Sequence, residues 1–423
     1  MTTPPPEPPQ HQPQQPRQHE PQQPRQQPQP VFAPGQVYGP AATEAPARVH
    51  ARHAAIPHTV PSRSISVSAV LAWVALGVLV LVGLAVGAYF VSALGTGGLA
   101  IGFVLALIPL AIVLLAVRWI DRWEPEPRLA LVLAFLWGAT ASVAIALVVD
   151  LTVQVSVLLV GVQPSDVLQY GVQAPVVEEL AKGIGLLILF YAARSQFDGP
   201  VDGLVYGAVI AAGFAFSENI QYFGLALADG GGGLLAQTFI LRGIVSPFAH
   251  VTFTACTGLA LGFAARRHRG VAALGPFFAG LGVAVFLHAL WNLLPGWFAF
   301  PAVYVLLEVP IFALWIGVIV MLRRAEIRVT ADRLAEYAAG GWFTPGEVAM
   351  ISTGDGRRGA KAWARSTSRV AERAMQRFIV EATRLAFCRQ RILAGRDRAA
   401  DRRRETELLE SITALRRQLL AGR

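Results

Sequence analysis

Long apolar runs constrain the fold of this chain more than any other feature of its sequence. From residue 68 onward they recur in lengths near the ~20 helical residues that cross a hydrocarbon core about 30 Å thick. A chain inserted in lipid must bond its backbone polar groups internally, so these runs predict a bundle of helices. We predict eight spans, at residues 68–94, 98–117, 129–151, 174–193, 201–225, 243–265, 271–293 and 301–322.

Two apolar or mixed segments between these spans do not fit the pattern. Residues 152–172 carry several glutamines and Asp166, which predicts an outer loop with a short interfacial helix. Residues 226–242 lie between the fifth and sixth predicted spans, and their only basic residue is Arg242, which is typical of a second outer loop. The expected fold class is therefore all-α, a polytopic membrane helix bundle of about eight spans.

The composition agrees with a membrane protein rather than a soluble one, because 54% of the residues are hydrophobic and only 15% are charged. The net charge of +9 resembles that of a nucleic-acid-binding protein. However, residues 323–423 alone contain 22 Lys and Arg against 12 Asp and Glu. The positive charge therefore belongs to one terminal region, and we expect no nucleic-acid partner.

Three regions follow from these patterns. Residues 1–62 are rich in Pro and Gln and predict a disordered cytoplasmic tail. Residues 63–325 predict the multi-span membrane domain, and residues 326–423 predict a basic, helical cytoplasmic region. In the last region apolar residues recur at helical spacing within 358–395 and 401–421, which is typical of a helical hairpin or of amphipathic helices lying on anionic lipid.

The distribution of arginine orients the predicted spans, because short cytoplasmic loops are enriched in Lys and Arg. Alternate loops are rich and poor in these residues, and this alternation places both termini in the cytoplasm of a multi-pass cell-membrane protein. The basic residues of the predicted cytoplasmic loops are Arg118, Arg122, Arg128, Arg194, Arg266, Arg267 and Arg269.

Polar and ionisable residues interrupt four of the spans. An ionised residue at the centre of a membrane helix costs about 2.5–3.5 kcal/mol on insertion scales, so such residues indicate function by default. They are Glu178, Glu179 and Lys182 in the fourth span, Glu218 and Asn219 in the fifth, His250 in the sixth, and His288 and Asn292 in the seventh. Under the predicted topology all four groups lie at one depth, within about 10 Å of the outer interface.

These residue types at one depth are what hydrolysis requires. A glutamate can take a proton from water, imidazoles can position or polarise the reacting groups, and an amide can donate a hydrogen bond to an oxyanion. The metal requirement is open; His250, His288 and Glu218 are the candidate ligands of a divalent ion such as zinc. A structural explanation stays open for each residue: Glu178 and Lys182 share a helix face and would neutralise each other, and a lone histidine is often a hydrogen-bonded core residue.

The same residues carry a family resemblance. EELAK at 178–182, FAFSEN at 214–219, His250 and HALWN at 288–292 resemble the motifs of the PrsW family of intramembrane proteases, as does the acidic, proline-containing DRWEPEPR at 121–128. The resemblance covers roughly residues 68–325. PrsW-type proteins are similar to the wider group of CAAX proteases and Abi proteins.

This resemblance implies a role for each matching residue. Glu178, with Glu179 in support, would activate water, and His288 with Asn292 would bind the oxyanion. That wider group has a histidine where this chain has Glu218, and His250 is expected to compensate for it; Lys182 and Asn219 are expected to support the site structurally. The implied reaction is a site-1 type cleavage of a single-pass membrane protein such as an anti-sigma factor.

Two other classes of function compete with this interpretation. Buried carboxylates also form the ion or proton path of membrane transporters and channels, where the polar groups lie near the midplane between inverted repeats. An inactive membrane scaffold that recruits partners through its tails is the other alternative. The position of the clusters towards one face and the absence of an evident internal repeat favour the enzyme.

Overall fold

The computed structural model describes residues 67–194, 197, 199–267, 270–395 and 399–421. Every regular element in these residues is helical, which confirms the predicted all-α fold class. The predicted disordered tail at 1–62 lies outside the described residues. The helices of the membrane region are α1 (Val67–Ile120), α2 (Arg128–Leu136), α3 (Val143–Val160), α4 (Asp166–Leu168), α5 (Ala174–Ala192), α6 (Pro200–Phe239), α7 (Ala249–Arg267), α8 (Leu274–Trp297), α9 (Phe300–Val303) and α10 (Val309–Ala339).

Short π-helical or 3₁₀ turns join several of these helices. The π-helical turns are Trp137–Ser142, Gln169–Gln173, Ile240–Val245 and Tyr304–Glu308, and the 3₁₀ turn is Gly270–Ala273. π-Helical turns are rare in proteins, and those that do occur often lie at functional sites. In the described part of the chain, five helical runs are long and apolar enough to cross a membrane: Val70–Ile120, Arg128–Val160, Pro200–Arg266, Gly270–Gly296 and Phe300–Ala339.

The difference between five runs and eight predicted spans has a physical origin. Two of the runs are 51 and 67 residues long, and each contains two predicted spans. The predicted span at 174–193 is helical, but it carries three charged residues. It is therefore not among the five helical runs that are apolar enough to cross a membrane. The total of eight membrane spans stays a prediction.

α1 bends at Gly95, whose φ of 68° and ψ of 169° interrupt the helix. This left-handed φ is one that glycine adopts without the steric cost that a Cβ imposes. Residues on both sides of the bend, including Gly87 and Phe103, line one cavity. The bend therefore folds α1 back on itself as two helices.

α6 and α7 pack closely enough that a side chain would not fit at two positions. A Cβ at Gly203 would lie 2.0 Å from the Gly258 carbonyl oxygen, and a Cβ at Gly258 would lie 2.1 Å from that of Gly203. Small residues at such contacts let membrane helices approach through their backbones. α6 is thereby held at the centre of a core that also contains the buried side chains of Tyr206, Phe190 and Phe277.

Both predicted outer loops differ in the structure. Of residues 152–172, only 161–165 lie outside helices, because α3 continues to Val160 and a helix resumes at Asp166. The prediction of a loop at 226–242 was wrong: α6 continues to Phe239 with a bend at Gly231, where φ is 61°. The glycines concentrate the bend at one residue, and the Leu and Ala residues on either side are strong helix formers.

The arginine-rich connections lie together on one face of the bundle. Arg323 Nη1 donates to the Trp119 carbonyl at 2.8 Å, and Arg194 Nη2 donates to the Ala265 carbonyl at 3.1 Å. The Tyr191 hydroxyl donates to the Gly270 carbonyl at 2.9 Å. This grouping supports the alternation of the loops, and the compartment on each side stays a prediction.

Reporter fusions test that topology. We expect a reporter inserted at Gly232, in the bend of α6, to be extracytoplasmic, and one inserted at Gly395 to be cytoplasmic. Both sites are exposed, so an insertion should leave the helices intact. The same compartment for both reporters would contradict the predicted topology.

The C-terminal residues form a second helical bundle with its own core. Its helices are α11 (Pro345–Ile351), α12 (Gly354–Thr367), α13 (Arg369–Leu393) and α14 (Ala399–Ala421). They pack with the end of α10 around Leu334, Phe378, Leu385 and Ile412. Most of the apolar positions at helical spacing thus face a protein core, whereas Val370 is 60% exposed.

Arg357 of α12 fixes this bundle to the loop that joins α1 and α2. Its guanidinium lies 3.4 Å from the centroid of the Trp123 ring, and it donates to the Trp123 carbonyl at 3.1 Å and to Thr383 Oγ1 at 2.7 Å. The Trp123 indole N–H donates to Thr330 Oγ1 at 2.9 Å. Burial lowers the pKa of Arg357 to about 9.

Candidate functional site

Four helices bring six ionisable residues into one cluster, which we call the glutamate–histidine cluster. Each helix supplies residues that the sequence analysis singled out. The members are Glu178, Glu179 and Lys182 on α5, Glu218 on α6, His250 on α7 and His288 on α8.

Lys182 lies at the centre of the cluster and is completely buried. Its ammonium lies 2.7 Å from Glu179 Oε1, 3.5 Å from Glu178 Oε2 and 3.2 Å from His250 Nδ1. The Phe214 ring faces it at 3.9 Å. The sequence predicted Glu178 as its partner from helical spacing, whereas Glu179, three positions before it, is the closer carboxylate.

Glu179 is buried among other side chains of the protein. It is 1% exposed, and it accepts hydrogen bonds from Lys182 at 2.7 Å and from Thr254 Oγ1 at 2.8 Å. Its Oε1 also lies 3.1 Å from His288 Nδ1. Thr254 was missed by sequence reasoning, although it lies four positions after His250 on α7 and so shares its face.

Glu178 differs from Glu179 in accessibility. Its side chain is 14% exposed, and its Oε2 lies 3.9 Å from His288 Nε2 and 3.5 Å from Lys182 Nζ. These contacts are longer than ordinary hydrogen bonds between charged groups, which are about 2.7–2.9 Å. Glu178 is therefore the better placed of the two α5 carboxylates to accept a proton from an entering water.

Glu218 bridges a histidine and an arginine. Its Oε2 lies 2.7 Å from His250 Nε2 and is also bonded by Arg242 Nη2. Arg242 Nε donates to Asn219 Oδ1 at 2.9 Å. Arg242 was not a candidate in the sequence, where its position in a predicted loop gave it only a topological meaning.

Asn292 lies outside this network. Its amide nitrogen donates to the Tyr170 carbonyl at 2.9 Å, in the π-helical turn before α5. Among the described residues, no hydrogen bond joins Asn292 to the glutamate–histidine cluster. The structure therefore brings five of the six predicted catalytic residues together and places Asn292 beside them, and it adds Lys182 to the centre.

Two histidines and a glutamate form a candidate metal site. Glu178, His250 and His288 each offer a ligand atom, and these three atoms lie within 4.8 Å of one another. Two imidazoles and one carboxylate are a donor set that suits zinc, and a carboxylate beside the other ring nitrogen, as Glu179 is for His288, is the usual outer partner. The sequence had proposed Glu218 as the carboxylate ligand; the geometry instead brings Glu178 to the histidines.

His250 limits this fit in one respect. Its Nδ1 lies 3.2 Å from Lys182 Nζ and its Nε2 lies 2.7 Å from Glu218 Oε2. A histidine binds a metal through a free ring nitrogen. His250 must therefore release Lys182 or Glu218 to become a ligand, while His288 Nε2 already faces Glu178.

The cluster lies far from the arginine-rich face. His250 is the second residue of α7, and α7 ends at Arg267 on that face. Their separation of 17 positions corresponds to about 25 Å along a helix. The cluster is therefore displaced towards the opposite face, on which Asn292 contacts Tyr170.

Comparisons with known proteins match the part of the chain that contains these residues. Residues 126–315 match the model of the PrsW family, described as intramembrane metalloproteases. A protein named Protease PrsW from Clostridioides difficile (strain 630) is 33% identical over 156 residues, which cover 37% of this chain and 63% of that relative. A second Protease PrsW, from Geobacillus kaustophilus (strain HTA426), is 27% identical over 175 residues, covering 41% of this chain and 69% of the relative.

The chain thus spans a little under two thirds of the length of the first of these relatives. No solved structure matches it. The matched segment contains every member of the glutamate–histidine cluster and the Asn219 and Asn292 side chains. By the family model, the two relatives and the order of the motifs, residues 126–315 of this chain are similar to the PrsW family.

Proposed function

We propose that this chain is an intramembrane endopeptidase in which Glu178 accepts the proton of the attacking water. The observation that supports this role most directly is the partial exposure of Glu178 beside buried partners. Its side chain is 14% exposed, while Glu179, Lys182 and His288 are almost completely buried. Water can therefore reach Glu178 while its neighbours stay fixed.

The other members of the cluster have roles that follow from their contacts. Glu179 accepts a hydrogen bond from His288 Nδ1, which leaves His288 Nε2 facing Glu178. Lys182 supplies the positive charge that stabilises both α5 carboxylates in an apolar environment. Fixed donors of this kind stabilise charge that develops in a transition state without having to reorganise.

A metal ion is compatible with these roles. Glu178, His250 and His288 would hold it, and a zinc ion there would supply Lewis acidity to the water and the scissile carbonyl. Glu178 has two carboxylate oxygens, so one of them stays available to accept a proton. Glu179 bonds His288 Nδ1 and thereby orients His288 Nε2 as the nitrogen that would bind the metal ion.

Metal removal tests this part of the proposal. We expect chelation to abolish cleavage by the purified protein, and added zinc to restore it. Elemental analysis should find the metal in the wild-type protein and a loss of about 10-fold or more in metal affinity in His288→Gln. Full activity after chelation, with no metal bound, would contradict the metal site and leave the Glu178 role intact.

The proposed substrate is a single-pass membrane protein, such as an anti-sigma factor, cut near the extracytoplasmic face. The cluster is displaced by about 25 Å from the arginine-rich face, which we infer to be cytoplasmic. A helical substrate offers no free backbone, because its amides are bonded internally. The scissile peptide should therefore lie in the extended stretch just outside the span of the substrate.

The test combines capture with cleavage. Single-pass proteins that co-purify with the Glu178→Gln variant are identified, reconstituted in liposomes and incubated with wild-type protein. Mass spectrometry should then place the new terminus on the extracytoplasmic side of the substrate's span, and the Glu178→Gln protein should give no such product. A cut in the cytoplasmic juxtamembrane region would contradict the proposed orientation.

Asn292 is a separate test of the mechanism. Its amide donates to the Tyr170 carbonyl, so Asn292→Ala removes one exposed hydrogen bond, a loss of about 1 kcal/mol, and we expect a fall in kcat of less than about 10-fold. Steady-state kinetics on the captured substrate measures this. A fall of about 10² to 10³ would instead show that Asn292 serves as an oxyanion donor during the reaction.

A further inference from the structure

Arg242 contacts both polar residues of the FAFSEN motif at once. Its Nη2 bonds Glu218 Oε2, and its Nε donates to Asn219 Oδ1 at 2.9 Å. Its guanidinium also stacks over the Tyr222 ring, 3.9 Å from the centroid. The rigid fork of arginine can fix two acceptors in one geometry, which the single ammonium of a lysine cannot do in the same way.

The backbone around Arg242 holds this fork in place. Arg242 lies in the π-helical turn Ile240–Val245, which ends in a short turn before α7. The Tyr304 hydroxyl donates to the Val245 carbonyl at 3.0 Å, and Ser246 Oγ donates to the Leu241 carbonyl at 2.7 Å. The turn lets Arg242 and His250 both reach the same carboxylate, although they are eight residues apart.

The hydrogen bonds on His250 connect Arg242 to the centre of the site. An ammonium can only donate, so Lys182 donates to His250 Nδ1. The hydrogen of neutral His250 is then on Nε2, which donates to Glu218 Oε2 at 2.7 Å. The orientation of the His250 ring, whose centroid lies 5.2 Å from that of His288, therefore depends on the position of the Glu218 carboxylate.

We propose that Arg242 is a positioning residue of the active site: it holds Glu218 and Asn219 so that Glu218 orients the His250 ring towards His288 and Glu178. This role rests on the proposed protease function. Asn219 is 5% exposed, and Arg242 is the donor to its side-chain oxygen. Glu218 and Asn219, the Glu-Asn pair of the motif, thus together bind the side chain of Arg242, which comes from the next helical segment.

Kinetics of two variants test the role in catalysis. Arg242→Gln should lower kcat by about 10- to 100-fold with a change in KM of less than about 3-fold, the usual cost of losing an outer partner of a functional histidine. Arg242→Lys keeps the charge and should recover part of the loss. Arg194→Gln is the control, because Arg194 bonds the backbone carbonyls of Phe197 and Ala265 at the arginine-rich face and should leave kcat unchanged.

A double variant distinguishes whether Arg242 acts through Glu218 or affects catalysis independently of it. If Arg242 acts through Glu218, then Arg242→Gln combined with Glu218→Gln should be no slower than Glu218→Gln alone. Multiplied losses in the double variant, or a wild-type kcat in Arg242→Gln, would overturn the proposal.

A spectroscopic measurement tests the same role without enzyme activity. In protein labelled with ¹⁵N-histidine, solid-state NMR should show His250 with its hydrogen on Nε2, the signal being assigned by its absence in His250→Gln. Arg242→Gln should shift this signal, whereas Arg194→Gln should not. An unchanged His250 signal in Arg242→Gln would overturn the positioning role, and a shift in a protein that cleaves nothing would refute the protease function alone.

Discussion

The Glu178→Gln variant is expected to lose cleavage activity by about 10²- to 10⁴-fold while the protein still inserts and accumulates. The loss is the usual contribution of a positioned general base, because an amide keeps the shape of the side chain but does not take the proton of water. The protein should persist because Glu178 is the less buried α5 carboxylate and its contact with Lys182 is long, at 3.5 Å. Cleavage of the captured substrate and the amount of protein in purified membranes measure the two effects.

Glu179→Gln is the matched control for this experiment. Glu179 is 1% exposed and lies against Lys182, Thr254 and His288, so its neutralisation leaves a buried ammonium with a weaker partner. We expect this variant to accumulate less than Glu178→Gln. Full cleavage by Glu178→Gln would transfer the role of base to Glu179 or Glu218, and ion flux through liposomes with no cleavage would favour a transporter.

The largest effect on stability is expected from Lys182→Met. Removing one partner of a buried ion pair costs about 3–5 kcal/mol, because the remaining charge is left uncompensated in an apolar environment. In this chain two carboxylates lose their cation, since Lys182 contacts both Glu178 and Glu179. The thermal unfolding midpoint of the protein in detergent should therefore fall, and less protein should accumulate in the membrane.

The chain supplies its own control for this measurement. Its other lysine, Lys361, lies on α12 in the C-terminal bundle and is only half-buried, so Lys361→Met should change the free energy of unfolding by less than about 1 kcal/mol. The pair of changes Lys182→Met and Glu179→Leu should recover part of the stability, because no uncompensated charge remains at position 179. An unchanged midpoint in Lys182→Met would show that Lys182 does not stabilise the site.

Several features of this protein were determined by the sequence alone, because they depend on short-range periodicity. The apolar runs predict membrane helices from length and hydropathy, and the all-α fold follows from the need to bond every backbone group in lipid. The cost of burying charge singled out Glu178, Glu179, Glu218, His250 and His288 before any distance was known. The resemblance to the PrsW family followed from the order of the same residues.

The tertiary structure alone decided which of these residues meet. The contact between Lys182 and His250 spans 68 positions and that between Glu179 and His288 spans 109, and no local pattern encodes the approach of atoms so far apart in sequence. For the same reason the sequence did not identify Glu179 as the carboxylate closer to Lys182, or Arg242 as a partner of Glu218. Helical periodicity specifies which face a side chain occupies, whereas its partner is chosen by how neighbouring helices pack, here through glycine contacts such as Gly203 with Gly258.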